Sequence, residues 1–244
     1  MDGGSIERSE DEYFSDLYEA AELVDISGAY AIFGDSAIER LQRAAQGSPS
    51  FSVDSAPDGR NVSFELSLAM CAHRSGAQVA LPADGDVTIC TSDYRFLAEC
   101  KRPQSLRATK KNMEKAARQG ARRVEKENDR TVVLIDASVA LNPNFRIRRT
   151  NLPKDTFYRR AHRWVRTLTE RDALRVNGVR NLTHIGILVR YSSFGIASGE
   201  MFHCQTWAVY PNLRLGSRAE LPLRAFAALF DPSYGESSSN VAIF

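Results

Sequence analysis

The sequence predicts an α/β domain in which helices flank a mixed central sheet. Two observations point there. From residue 61 to 137 the chain reads helix, three-strand meander, helix, strand, an αβββαβ order. The last of these segments, TVVLIDA (131–137), is a continuous apolar run, as a strand covered on both faces requires.

The elements can be justified in turn. EDEYFSDLYEAAELV (10–24) and SAIERLQRAAQ (36–46) carry apolar residues at helical spacing, with GAYAIFGD read as the connection between them. GSPSFSVDSAPDG (47–59) is rich in Gly, Pro, Ser and Asp and reads as a linker. It divides a helical extension (1–50) from the main domain (51–244). NVSFELSLAMCAHRSG (61–76) is a helix stopped by glycine. AQVALP (77–82), DVTICT (86–91) and FLAECK (96–101) are strands separated by ADG and SDYR turns. SLRATKKNMEKAARQGARRVEKEN (105–128) is a long basic amphipathic helix interrupted at Gly120. Beyond the core, 156–175 reads as a basic helix, HIGILVRYS (184–192) and EMFHCQTWAVYP (200–211) as a hairpin, LPLRAFAALF (221–230) as a closing helix, and GESSSN (235–240) as mobile.

Composition narrows the function classes. The chain has 244 residues, 25% charged and 43% hydrophobic, ordinary for a globular protein. No stretch approaches the roughly 18 apolar residues of a membrane span, so no membrane role is expected. The acidic start, MDGGSIERSEDEYF, lacks the apolar segment of a signal peptide. Cysteines at 71, 90, 100 and 204 show no CxxC spacing and read as small core residues in a reduced, cytoplasmic setting. Four scattered histidines give no zinc pattern, and neither GxxxxGK[ST] nor GxSxG occurs. The net charge of +2 hides an asymmetry: residues 1–60 hold 13 acidic and 4 basic side chains, residues 61–244 hold 17 and 28. The second part therefore suits a polyanion, and the acidic front suits a shield.

The chemistry-bearing cluster is in the meander. In FLAECK, side chains alternate between faces, so Glu99 and Lys101 project together and Cys100 points the other way. Asp86 opens the preceding strand, and a hairpin lays the start of one strand beside the end of the other. Two carboxylates and an ammonium are thereby grouped, with Glu65 of the preceding helix flanked by apolar residues and expected to point inward. Hard carboxylate oxygens suit Mg²⁺, which keeps water for use as a nucleophile, and Lys101 can position that water or stabilise developing negative charge. Eleven Lys or Arg against four acids in 101–130, and eleven against three in 146–180, suit phosphate contacts. Arg102, Arg107, Lys110 and Lys111 follow the cluster directly. Arg160 and Arg163, with Tyr158 and Trp164, could line a groove for unpaired bases, although Trp164 at helical spacing also suits a core.

GDVTICTSDYRFLAECKRP resembles the PD-(D/E)xK nuclease superfamily, with Asp86 as the motif aspartate and Glu99-Cys100-Lys101 as the (D/E)xK. The resemblance covers about residues 60–137. It implies a restriction-endonuclease-like core and hydrolysis of nucleic acid, DNA first, with Mg²⁺ or Mn²⁺. In that reading Asp86 and Glu99 are metal ligands, the Cys100 carbonyl is a further ligand, Lys101 is the base-like residue, and Glu65 matches the family's helix glutamate. Gln119 sits where some members carry a glutamine. A homodimer or a partner protein in a larger system is also implied. Pro82 does not directly precede the motif aspartate, so Asp84 competes with Asp86 for that place. The rival readings are a catalytically silent nucleic-acid-binding or scaffolding module and an RNA-directed nuclease.

Overall fold

A computed structural model describes residues 10–46, 57–143, 146–178 and 183–234. Helices α1 (Glu10–Ile26), α2 (Ala29–Phe33) and α3 (Asp35–Ala45) precede α4 (Pro57–Arg74). Strands β1 (Gln78–Ala80), β2 (Val87–Cys90) and β3 (Arg95–Lys101) lead into α5 (Leu106–Arg122) and β4 (Asp129–Asp136). Then come α6 (Ser138–Leu141), β5 (Arg148–Thr150), α7 (Lys154–Asn177), β6 (His184–Ala197), β7 (Glu200–Pro211) and α8 (Ser217–Ala228). The helix, three-strand, helix, strand order expected over 61–137 is present as α4 to β4. The segment read as a connection, GAYAIFGD, contains α2. Pro57–Gly59, read as linker, form the first turn of α4, where proline's fixed φ and missing N–H suit a helix start. The rest of that linker and 235–240 lie outside the described residues.

The sheet is mixed and has seven strands. β1, β2 and β3 pair antiparallel; β3, β4 and β6 run parallel. β6 continues beyond β4, where β5 joins it in parallel, and β7 pairs antiparallel along its whole length. The β6–β7 hairpin turns through Ser198 and Gly199, both with positive φ, the geometry that matches strand twist.

Two apolar layers cover the sheet. On one face α4 packs with α1–α3 and α8, joining Phe64, Leu66 and Leu68 to Phe96, Ala98, Cys100 and Phe226. On the other, α5 and α7 bring Met113, Ala116, Val165 and Ala173 against Val133, Ile135, Val189 and Tyr191. Gly76, with φ +85°, ends α4: Gly76 N–H donates to His73 C=O and Ala77 N–H to Ala72 C=O, the paired bonds of a glycine-closed helix. Gly120 does not break α5. A Cβ there would meet Thr131 at 3.1 Å and Glu99 at 3.4 Å, so its bareness lets α5 lie close on β3 and β4. The four cysteines are free, with Cys100 and Cys204 buried. No helix among the described residues is long and apolar enough to cross a membrane.

His184 opens β6 at 1% exposure, and its Nε2 donates to Asn177 Oδ1 at 2.9 Å. Burial pushes its imidazole down to about 4. Below its ordinary value of 6.5 the unfolded chain takes up a proton that the folded chain refuses, so stability falls as pH drops from 6.5 to about 4. The full loss is about 3 kcal/mol. In melts from about pH 7 to about pH 4.5, His184→Gln should show a smaller fall in Tm than the parent. Identical falls would exclude His184 as a source of acid sensitivity.

Candidate functional site

The β2–β3 register decides where the chemistry sits. Val87 lies opposite Ala98, so β3 outruns β2 at the end carrying Glu99 and Lys101. The Cys100 amide there has no β2 partner. Asp86, just ahead of β2, supplies one: its Oδ2 accepts from Cys100 N–H at 2.6 Å and from Lys101 Nζ at 3.0 Å. Lys101 Nζ also donates to the Cys100 carbonyl at 2.8 Å. Asp86 is thus both a strand-end cap and the counterion of Lys101. Asp84 is exposed in the preceding turn and lines no part of this cleft.

Glu99 shares Lys101's face, as period two requires, and lies beneath α5. It is 2% exposed and engaged: Arg123 Nη1 donates to Glu99 Oε1 at 2.7 Å, while Nη2 reaches Thr88 Oγ1 at 3.1 Å. Glu65 comes in from α4, held by Arg40 at 3.5 Å. Burial, and after it the charge of Asp86, pushes Glu65 up to about 7 and raises Glu99 as well. Burial pulls Lys101 down, but Asp86 outweighs it, and the net shift is upward. Lys101 is therefore an ammonium at neutral pH, suited to stabilising negative charge rather than to taking a proton.

These groups open onto a cleft of roughly 400 Å³ whose lining includes Asn61, Glu65, Asp86, Lys101, Gln104 and Lys115. The cleft lies at the start of α5, whose N-cap Ser105 accepts from Ala108 N–H at 3.3 Å. Ala108, Asn112 and Lys115 face the cleft at helical spacing. Gln119 continues that stripe, and its buried Oε1 has no hydrogen-bond partner among the described residues.

The Asp86 and Glu65 carboxylates and the Cys100 carbonyl are hard oxygens of the kind Mg²⁺ prefers. Lys101 Nζ already bridges two of them, so a cation's place between Asp86 and the Cys100 carbonyl is held by the ammonium. Among the described residues no three His, Cys, Asp or Glu side chains stand together as a ready metal site. Glu99 is turned to Arg123 and would have to exchange that partner to bind metal.

The other expected contact residues divide. Arg107 and Lys111 are exposed on the first turns of α5, and Lys110 is half-buried beside Glu114 at 3.6 Å. Arg102 is turned inward, at 3% exposure. Its Nε donates to Asp136 Oδ2 at 3.0 Å, and its other nitrogens pair with Glu22 of α1. Arg160 and Arg163 are exposed on α7, lining separate clefts. Trp164 is half-buried, its ring edge-on to Tyr191 at 5.4 Å.

Sequence reasoning missed Arg123, Arg40 and a buried ionic network on the opposite sheet face. Asp136, at the end of β4, accepts from Arg102, from Arg190 at 2.8 Å and from Ser138. Burial alone would raise its carboxyl, but Arg190 and Arg102 hold it well below the usual carboxylate range. Both guanidiniums also lie over Phe64. The available signal was a charge inside an apolar run: Asp136 in VVLID and Arg190 in ILVRY. No protein-family model, curated protein or solved structure matches the chain.

Asp136→Asn leaves two buried guanidiniums with Glu22 as their remaining carboxylate here. Urea unfolding should show a loss of about 3–5 kcal/mol. A loss below about 1 kcal/mol, the size of an exposed pair's contribution, would mean the network is solvated.

Proposed function

We propose that the chain is a metal-dependent nuclease of the PD-(D/E)xK, restriction-endonuclease-like kind that hydrolyses phosphodiester bonds, in DNA before RNA. The observation that carries this reading is the meeting of Asp86 and Lys101 at the open end of the β2–β3 hairpin, with Glu65 and Glu99 beside them at raised pKa. Acids that repel one another around a cleft favour a divalent cation, whose binding relieves the repulsion. The α4 to β4 element order supports the same reading. Four free cysteines suit a reducing compartment such as the cytoplasm.

The chain's own groups have distinct tasks in the hydrolysis. The start of α5, the positive end of its helix dipole, and exposed Arg107 and Lys111 draw the phosphate backbone to the cleft. Asp86, Glu65 and the Cys100 carbonyl would hold Mg²⁺ or Mn²⁺, which supplies a polarised phosphoryl group and an activated water. Lys101 stands where negative charge develops as water oxygen bonds to phosphorus and the leaving sugar oxygen departs. Asp86 keeps that ammonium charged and aimed, and Arg123 holds Glu99 until the site rearranges.

A second reading rests on one observation: Lys101, Asp86 and Glu99 already satisfy each other or Arg123. Such internally neutralised charges also suit a nucleic-acid-binding module without chemistry. Incubation with single- and double-stranded DNA and with RNA, in Mg²⁺, Mn²⁺ or EDTA, separates the two. We expect cleavage that needs metal and falls at least about 100-fold in Lys101→Ala. Cleavage persisting in EDTA, or undiminished in that variant, would remove the proposed site. Tight, salt-sensitive binding with no cleavage would favour the module.

A further inference from the structure

A second cavity of roughly 360 Å³ opens between β5, the first turns of α7 and the far part of β6. Such a volume suits a small ligand. Its lining has a distinct composition: Arg148, Arg149 and Arg160 supply three guanidiniums, Phe157, Trp164 and Tyr191 three aromatic rings, and none of the lining residues is acidic. Trp164 is the centre of the arrangement. Its ring meets Tyr191 edge-on at 5.4 Å, which fixes its plane, and the Arg148 guanidinium lies over it with Cζ 5.0 Å from the centroid. Arg148 is exposed on the short strand β5 and Arg160 is exposed on α7. A fixed indole face beside exposed guanidiniums matches a planar base joined to a phosphate.

We propose that this cavity binds a nucleotide, its base stacked on Trp164 and its phosphate held by Arg148 and Arg160. The base takes a place against the indole, either sandwiching Arg148 or replacing it. Arg148 has five N–H donors and spends part of this capacity on the Tyr191 hydroxyl, leaving others for phosphate oxygens. The assignment rests on the lining alone and does not require Asp86 and Lys101 to cleave anything.

Its place in the fold also gives the nucleotide a source. Lys101 pairs with Ile135 and Ile135 with Val189, and Tyr191 follows two residues later on the same sheet face. The cavity therefore lies on the same face and at the same end of the parallel strands as Lys101, two strand spacings or about 10 Å away across the sheet. An unpaired nucleotide of a strand passing the first cleft fits this placement, and a free nucleotide shares the chemistry.

The test is binding in EDTA, where metal-dependent cleavage is absent and its failure cannot be mistaken for failure here. A short fluorescein-labelled single-stranded DNA, the matching duplex, and dAMP are titrated against the parent, Trp164→Ala and Arg160→Gln, with melting curves to establish folding. Single strand or dAMP should quench tryptophan emission in the parent. Trp164→Ala should weaken single-strand binding about tenfold or more, and Arg160→Gln, at an exposed position, should weaken it with a shallower salt dependence. Single-strand binding tighter than dAMP binding assigns the pocket to a strand, and equal binding assigns it to a free nucleotide. Duplex bound as well as single strand without quenching, or affinities unchanged in folded variants, would overturn the proposal.

Discussion

The Asp86 carboxylate does two jobs at the mouth of one hairpin. It completes the hydrogen bonding of the Cys100 amide where β2 has run out, and it neutralises the Lys101 ammonium. Without it, a strand end lies open and a largely buried cation loses its partner, each a costly defect in a low-dielectric setting. The raised pKa of Glu65 and the upward shift at Lys101 both carry its charge among their causes. The cleft's electrostatics therefore centre on a residue that also has a purely structural task. This coupling explains how a polar site is held at the edge of an otherwise apolar sheet.

The sheet separates two polar systems by face. Glu99 and Lys101 lie beneath α5, whereas Arg102, Asp136 and Arg190 lie on the α4 side with Glu22. Neighbours in sequence thus serve different ends: Lys101 faces a cleft, and the Arg102 guanidinium ties the end of β3 to β4 and helix α1. The acidic N-terminal segment contributes Glu22 and Glu19 to ion pairs with Arg102 and Arg60, so part of its charge is spent inside the fold rather than shielding a surface.

The hairpin and its side-chain alternation were legible because both follow from local rules, a turn and a period of two. The same rules bring Asp86 to the strand end that carries Glu99 and Lys101, and the structure pairs it with Lys101 at 3.0 Å. Arg102 borders the cleft, as its place in the sequence suggests, but alternation continued past the strand's end turns its guanidinium to Asp136 and Glu22. Arg123 was hidden by the length expected for α5: the helix stops at Arg122, and only the turn that follows brings the next guanidinium onto Glu99. β5 has no apolar pattern because it is a three-residue edge strand, and α2 is too short to show a period.

Calorimetric titration of Mn²⁺ into the parent, Asp86→Asn and Lys101→Ala tests the account at its centre. The parent should bind, Asp86→Asn should lose binding, and Lys101→Ala, where no ammonium occupies the space between Asp86 and the Cys100 carbonyl, should bind at least as tightly. Undiminished binding in a folded Asp86→Asn would contradict the account.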